Sequence, residues 1–81
     1  HSILEDNIFV SSHVVISGNC HIKNNCFIGV NSTLHNSITI EKYTLISAGV
    51  TIEKDTLEEG VYVQKSNSKI IELSSKKIIF K

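Results

Sequence analysis

Histidine is the residue type in this chain best suited to proton transfer near neutral pH, because its unperturbed pKa lies close to neutrality. The four histidines are His1, His13, His21 and His35, separated by 12, 8 and 14 residues. These gaps contain no close pair of histidines of the kind that binds zinc together with a third ligand. The spacing of the histidines therefore does not indicate a metal site, and the chemistry open to them is proton transfer.

The two cysteines could also carry chemistry. Cys20, His21 and Cys26 lie close in sequence, but their spacing does not match the Cys/His pairings of known zinc sites. Two cysteines are also too few for a disulfide scaffold. We expect both to be buried, reduced thiols, as free cysteines commonly are.

A repeat of six residues predicts the elements that position these side chains. An aliphatic residue, here called an anchor, recurs at every sixth position: Leu4, Val10, Ile16, Ile22, Ile28, Leu34, Ile40, Ile46 and Ile52. Two places before each anchor stands an uncharged residue that is small or β-branched, and every charge before Leu57 falls one to three places after an anchor. Helices repeat at three and four residues and hairpin strands at two, so neither explains a strict six.

The repeat of six predicts an all-β fold, a parallel β-solenoid with three flat faces. Residues eighteen apart would then stack about 4.8 Å above each other. Asn and Gly at the third place after many anchors favour tight corners, because they tolerate a left-handed backbone. We expect three coils of three hexapeptide faces over residues 1–57, and a C-terminal turn with a capping or docking tail over residues 58–81.

Composition excludes several partners. Eight Lys and no Arg balance eight acidic residues to a net charge of zero, which argues against nucleic-acid binding. No apolar run approaches the roughly 20 residues of a membrane helix, and no signal segment opens the sequence. We therefore expect no membrane partner and a cytoplasmic location. Because the chain contains no Met and begins at His1, we also expect residues upstream to have been lost.

The hexad of anchor and small residue resembles the left-handed β-helix of bacterial hexapeptide-repeat acyltransferases. Residues 9–19, 25–34 and 46–50 resemble, more specifically, sugar O- and N-acetyltransferases related to sialic acid O-acetyltransferase. The resemblance extends over about residues 1–63. The left-handed sense of the β-helix is implied by this resemblance and not by the repeat, since parallel crossovers are normally right-handed. It also implies transfer of an acetyl group from acetyl-CoA to a hydroxyl or amine of a sugar or nucleotide-sugar, in a homotrimer.

The same resemblance implies which residues carry the reaction. Relatives use a His as general base, often the first of a His-His pair followed by Ser. His1 and Ser2 look like the end of such a motif, so His1 is the candidate base that the resemblance implies, and the first His of the pair would precede this chain. The competing interpretation is that His1 is a frayed terminal residue or a tag remnant. The sequence departs from relatives after Gly60–Val63, where their Gly-Asn-Pro-Ala-Lys turn is absent.

His13 is the second candidate base. It is predicted to lie at a corner under Asn31 and Gly49, where side chains become smaller from coil to coil, as a cofactor groove requires. The competing interpretation is an exposed histidine in a turn.

The resemblance also implies where the coenzyme binds. In relatives the pantetheine arm runs along a corner of small residues, and this role is carried over to Gly18, Val30, Ala48 and Gly49. The alternative is that turns require small residues for their geometry alone.

Two other functions remain open. A γ-carbonic-anhydrase-like enzyme shares the prism but needs three zinc-binding histidines, and a non-catalytic trimerisation or scaffold fragment needs no site. Phe9, Phe27 and Leu45 are eighteen apart and predicted to point outward. An exposed apolar stripe of this kind is typical of an interface, which favours a homotrimer in either case.

Overall fold

The computed structural model describes residues 2–64 and 77–80, which contain eleven short parallel strands. His1 lies outside the described residues. The strands are Ile3–Leu4 (β1), Phe9–Val10 (β2), Val15–Ile16 (β3), His21–Ile22 (β4), Phe27–Ile28 (β5), Thr33–Leu34 (β6), Thr39–Ile40 (β7), Leu45–Ile46 (β8), Thr51–Ile52 (β9), Gly60–Val63 (β10) and Lys77–Phe80 (β11). The predicted all-β solenoid is confirmed, and its architecture is consistent with a left-handed β-helix.

Three sheets form the three faces of the prism. Face A is β1-β4-β7, face B is β2-β5-β8-β10-β11 and face C is β3-β6-β9. In the repeating part, each strand pairs in parallel with the strand eighteen residues later, as in Leu4 with Ile22 and Ile22 with Ile40. This register stacks the anchors of one face into a column. The three columns together fill the interior.

Burial of the anchors produces the core. Ile22, Ile28, Leu34, Ile40, Ile46 and Ile52 are all 0% exposed. Burying one such side chain contributes about 1.5–3 kcal/mol. In the first coil, by contrast, Leu4 is 47% and Val10 37% exposed. The packed core of the described residues is therefore formed by the second and third coils together with Tyr62 of β10.

The row two places before the anchors also points inward, and its polar atoms tie successive coils together. In four cases a hydroxyl or thiol donates to the carbonyl fifteen residues later, across the corner of the next coil. The pairs are Ser2 with Ser17 at 3.1 Å, Cys20 with His35 at 3.1 Å, Cys26 with Glu41 at 3.1 Å and Ser32 with Ser47 at 2.9 Å. Both cysteines are buried free thiols, as predicted. Burial raises the pKa of the Cys26 thiol, so it remains a protonated donor.

The corners use left-handed backbone at the third place after the anchors. The Asn residues and Gly49 predicted there do adopt positive φ, but so do His13, Ser37 and Tyr43, with φ of 58°, 61° and 60°. A left-handed conformation costs an ordinary side chain about 1–2 kcal/mol. The stacked coils therefore impose the turn even where the residue does not favour it.

The upper ends of the three faces differ. On face A the Asp55 carboxylate accepts from the Thr39 N–H at 2.8 Å, and the Thr56 N–H donates to the Thr39 carbonyl at 3.0 Å. Face B continues through β10 and β11, with Tyr62 opposite Ile46. Face C ends at β9 among the described strands. The domain boundary at residue 57 stays a prediction.

Gly29 is required because two coils approach closely. A Cβ added there would lie 2.7 Å from the Ala48 nitrogen and 2.7 Å from the Ser47 carbonyl carbon, both backbone atoms. We predict that Gly29→Ala costs about 1–3 kcal/mol of unfolding free energy by overpacking. Thermal denaturation followed by circular dichroism should show a melting temperature lower by roughly 5–20 °C.

Gly18→Ala is the matched control, because its added Cβ would meet only the Asn36 side chain, at 3.9 Å. This change should leave the melting temperature unchanged or raise it slightly, since Ala restricts the unfolded chain. Equal melting temperatures for the two variants would contradict the close approach at Gly29.

Candidate functional site

The predicted site residues are distributed over two corners. The turns between faces B and C, here called the B–C corner, comprise residues 11–14, 29–32 and 47–50, and they contain His13, Val30, Ala48 and Gly49. Gly18 lies in a turn between faces C and A. The structure thus brings four of the predicted residues to one corner and places Gly18 at another. The role predicted for His1 lies outside the described residues.

The B–C corner differs from the other two in the backbone amide of the first coil, which a side chain caps at the other corners. At the A–B corner the Asp6 N–H donates to the Asn24 side-chain oxygen at 2.9 Å. At the C–A corner the Gly18 N–H donates to the Asn36 side-chain oxygen at 3.0 Å. In both cases an Asn in the coil above, at the second place after its anchor, caps the amide below it.

At the B–C corner the residues in that second place are Ser12, Val30 and Ala48. Val30 and Ala48 carry no side-chain acceptor, and within residues 2–64 and 77–80 none of the three N–H groups finds one. All three residues are exposed. The carbonyls of Ser12 and Val30 are satisfied by the amides of Asn31 and Gly49, at 3.1 and 2.8 Å. The corner therefore presents three free N–H donors, roughly 4.8 Å apart along the prism.

An open cavity of about 260 Å³ lies at the upper end of this corner, lined by Gly49, Val50, Thr51, Glu53 and Gln64. Gly49 has φ +72°, and a Cβ there would lie 3.4 Å from the Gln64 side-chain oxygen. The Gln64 side chain thus lies over Gly49. A glycine at position 49 adopts the left-handed turn without strain, and it also allows another group to approach the backbone closely from the upper end of the prism.

His13 lies at the lower end of the same corner. Its side chain is exposed, and its backbone has φ 58°. It is two coils below Gly49, roughly 10 Å along the prism at two strand spacings. No hydrogen-bond partner of the imidazole is found in the described part of the chain. The imidazole is therefore free to take part in proton transfer, but no protein group fixes its orientation.

Comparison with known families agrees with this geometry. The family profile described as bacterial transferase hexapeptide (six repeats) matches residues 19–54. Profile and coil geometry together support a hexapeptide-repeat β-helix protein. A search of curated proteins and a search of solved structures each found no match. Among the described residues, no helix is long and apolar enough to span a bilayer.

The hexapeptide prism also carries polar contacts on face A that the sequence reasoning missed. The His21 Nε2 lies 2.6 Å from the Glu5 Oε2, and the Lys23 Nζ lies 2.9 Å from the Glu41 Oε2. The sequence does contain a sign of the Lys23–Glu41 contact, because Glu5, Lys23 and Glu41 are eighteen residues apart and so form one column of alternating charge.

No metal centre emerges from the hexapeptide prism as described. Within residues 2–64 and 77–80, no group of three His, Cys, Asp or Glu side chains could hold a metal ion. Cys20 and Cys26 point into the core and donate to backbone carbonyls.

The Lys23–Glu41 pair predicts a pH-dependent contribution to stability. The Lys23 hydrogen bond lowers the pKa of Glu41 below its ordinary value of 4.5, so the stabilisation is present above that value and is lost as pH falls through the folded-state pKa. Glu41 likewise raises the pKa of Lys23 above its ordinary 10.5, so the lysine's contribution is lost only as pH rises through that raised value.

We therefore expect Glu41→Gln to lower the melting temperature at pH 7, with the difference disappearing in strong acid and shrinking at high salt. Glu53→Gln is the control, since Glu53 forms no ion pair among the described residues. The interpretation fails if Glu41→Gln and the wild type melt together at pH 7 and low salt.

Proposed function

We propose that this chain is an acyltransferase domain that binds acetyl-CoA along the B–C corner and acetylates a sugar or nucleotide-sugar. The observation that carries the proposal is the column of uncapped amides at Ser12, Val30 and Ala48. The pantetheine arm of the coenzyme is extended and contains amide carbonyls. Those carbonyls can accept hydrogen bonds from N–H groups that no Asn side chain covers.

Small side chains make that approach possible. Val30, Ala48 and Gly49 leave the backbone accessible at the two upper coils of the corner, and no Asn covers the Ser12 amide below them, whereas at each of the other corners an Asn side chain covers the first-coil amide. Close contact between a ligand and backbone requires such small neighbours. The family match, which covers residues 19–54, supports a transferase of the hexapeptide-repeat type.

His13 is the described residue best placed to act as the base. In acyl transfer, the bond between the acyl carbon and sulfur breaks as a bond to the acceptor oxygen or nitrogen forms. An imidazole would take the proton that the acceptor loses and return it to the departing thiolate. His13 shares the corner with the amides and is exposed. His1 remains the alternative base from the family resemblance.

A homotrimer is the second part of the proposal. Phe9 and Phe27 stack on face B with ring centroids 5.0 Å apart and planes 8° from parallel, yet they remain 57% and 40% exposed. Leu45 continues the same column. Exposed apolar side chains in a contiguous stripe favour burial against another protein surface, and copies of the prism present matching stripes.

The coenzyme site can be tested by covering one amide. Asn at the second place after an anchor caps the amide of the coil below, so Ala48→Asn should cap the Val30 N–H while preserving the fold. We expect acetyl-CoA affinity, measured by isothermal titration calorimetry, to fall about tenfold, the effect of losing one or two hydrogen bonds. The melting temperature should not fall.

Lys54→Asn is the matched control, because it introduces the same cap over Asn36 at the C–A corner. It should leave acetyl-CoA binding unchanged. Equal loss of affinity in both variants would remove the B–C corner from the proposal. No binding by the wild type would contradict the acyltransferase proposal as a whole.

The role of the stripe of Phe9, Phe27 and Leu45 as a trimer interface can be tested by introducing a charged side chain into it. Phe27→Lys should shift the mass measured by light scattering at micromolar concentration from trimer to monomer, because a lysine ammonium is costly to bury unpaired. Val15→Lys changes an outward apolar residue on face C that is 54% exposed, and it should leave the mass unchanged. A monomeric wild type would contradict the trimer.

A non-catalytic scaffold is the second candidate function. It is favoured by the imidazole of His13, which has no orienting partner in the described part of the chain. Catalytic histidines are usually held by a second group. Titration with acetyl-CoA separates the two functions, since a scaffold has no reason to bind it.

A further inference from the structure

The cavity at the top of face C contains polar groups that have no partner among residues 2–64 and 77–80. Of its five lining residues, Glu53 is the one that carries a charge. Its carboxylate forms no hydrogen bond or ion pair within residues 2–64 and 77–80. The side chains of Thr51 and Gln64 likewise make no hydrogen bond to other described residues. The Glu53 carboxylate, which can bind a cation, thus lies beside the neutral side chains of Thr51 and Gln64, which can donate and accept hydrogen bonds.

The backbone beside this cavity is also unpaired. On face A, Asp55 and Thr56 bond to the upper edge of β7, and on face B the edge of β8 pairs with β10. On face C the Thr51 N–H and carbonyl, and the Glu53 N–H, have no partner among the described residues. The edge of β9 therefore adds two donors and one acceptor to the wall of the cavity.

We propose that this cavity binds a primary ammonium group that has hydroxyl groups beside it, as in an amino sugar, and that Glu53 holds the ammonium. This inference rests on the proposed function, for which it selects an amine rather than a hydroxyl as the acetyl acceptor. The carboxylate would form a charge-assisted hydrogen bond with the ammonium. The free backbone groups of β9 and the Gln64 carboxamide would bond the hydroxyls.

Size and position agree with such an acceptor. At about 260 Å³ the cavity is just below the range of about 300–1,000 Å³ for drug-sized ligands, so it fits a single sugar ring rather than a whole nucleotide-sugar. It begins at Gly49, where the column of free amides ends. An acceptor in the cavity would therefore lie next to a coenzyme bound along the B–C corner. His13, two coils below Gly49, would be roughly 10 Å from it, so for this acceptor the Glu53 carboxylate would take the proton from the ammonium.

Glucosamine, glucose and N-acetylglucosamine are the probes. Each is titrated into the wild type by calorimetry and by nuclear magnetic resonance, at pH 6.5 and low salt, and acetyl-CoA is titrated into the same samples. We expect glucosamine to bind and to shift the amide resonances of Thr51 and Glu53. The two neutral sugars should bind at least about tenfold more weakly, because they lack the ammonium that forms the charge-assisted bond.

Glu53→Gln keeps the shape of the side chain and removes its charge, so it should weaken glucosamine binding about tenfold and leave acetyl-CoA binding unchanged. Glu58→Gln is the matched control, since Glu58 is an exposed acid on the far side, 4.0 Å from Lys42. It should change neither ligand.

The outcomes separate the two proposals. Binding of acetyl-CoA without any preference for glucosamine would overturn the amine site and leave the acyltransferase proposal standing. Binding of glucosamine that Glu53→Gln does not weaken would also overturn the amine site. Binding of glucosamine that is lost in Glu53→Gln, by a chain that does not bind acetyl-CoA, would support the cavity and contradict the proposed reaction.

Discussion

The eighteen-residue parallel register is the constraint on which the rest of the structure depends. It places like residues above one another, so that a column of Ile and Leu anchors fills each face from within, with 0% exposure in the upper coils. The same register stacks the corners. Whatever side chain a corner carries therefore lies over the backbone of the coil below, and the sequence at three corners decides which amides are covered and which remain free.

The repeat in the sequence was sufficient to predict the faces, the anchors and the inward second row, because those features follow from periodicity alone. It also predicted that His13, Asn31 and Gly49 share a corner. It did not predict the bonds from the second row to carbonyls fifteen residues later, because counting residues gives stacking but not side-chain rotamers. The contact between His21 and Glu5 was missed for the same reason, since it crosses between neighbouring columns.

Two further differences have specific causes. The family resemblance groups Gly18 with Val30 and Ala48 as coenzyme contacts, whereas the order of the faces places Gly18 between faces C and A. The contacts at the upper end of the prism could not be predicted either, because the six-residue repeat stops there. Tyr62 pairs opposite Ile46, sixteen residues earlier rather than eighteen, and Asp55 and Thr56 supply side-chain bonds where a strand would otherwise run. Where the six-residue repeat ends, the sequence does not reveal which atoms bond to the upper edges of the strands.

The left-handed corners have a consequence for how such a chain can change. His13, Ser37 and Tyr43 occupy positions at which an ordinary side chain is disfavoured, yet the backbone there matches that of the Asn corners within a few degrees, with φ between 58° and 62°. Because neighbouring coils hold the turn, these positions accept imidazole, hydroxyl or phenol without altering the prism. The corner positions along the three edges of the prism can therefore exchange one side chain for another. Such exchanges can introduce new functional groups at the surface while the packing of the interior stays the same.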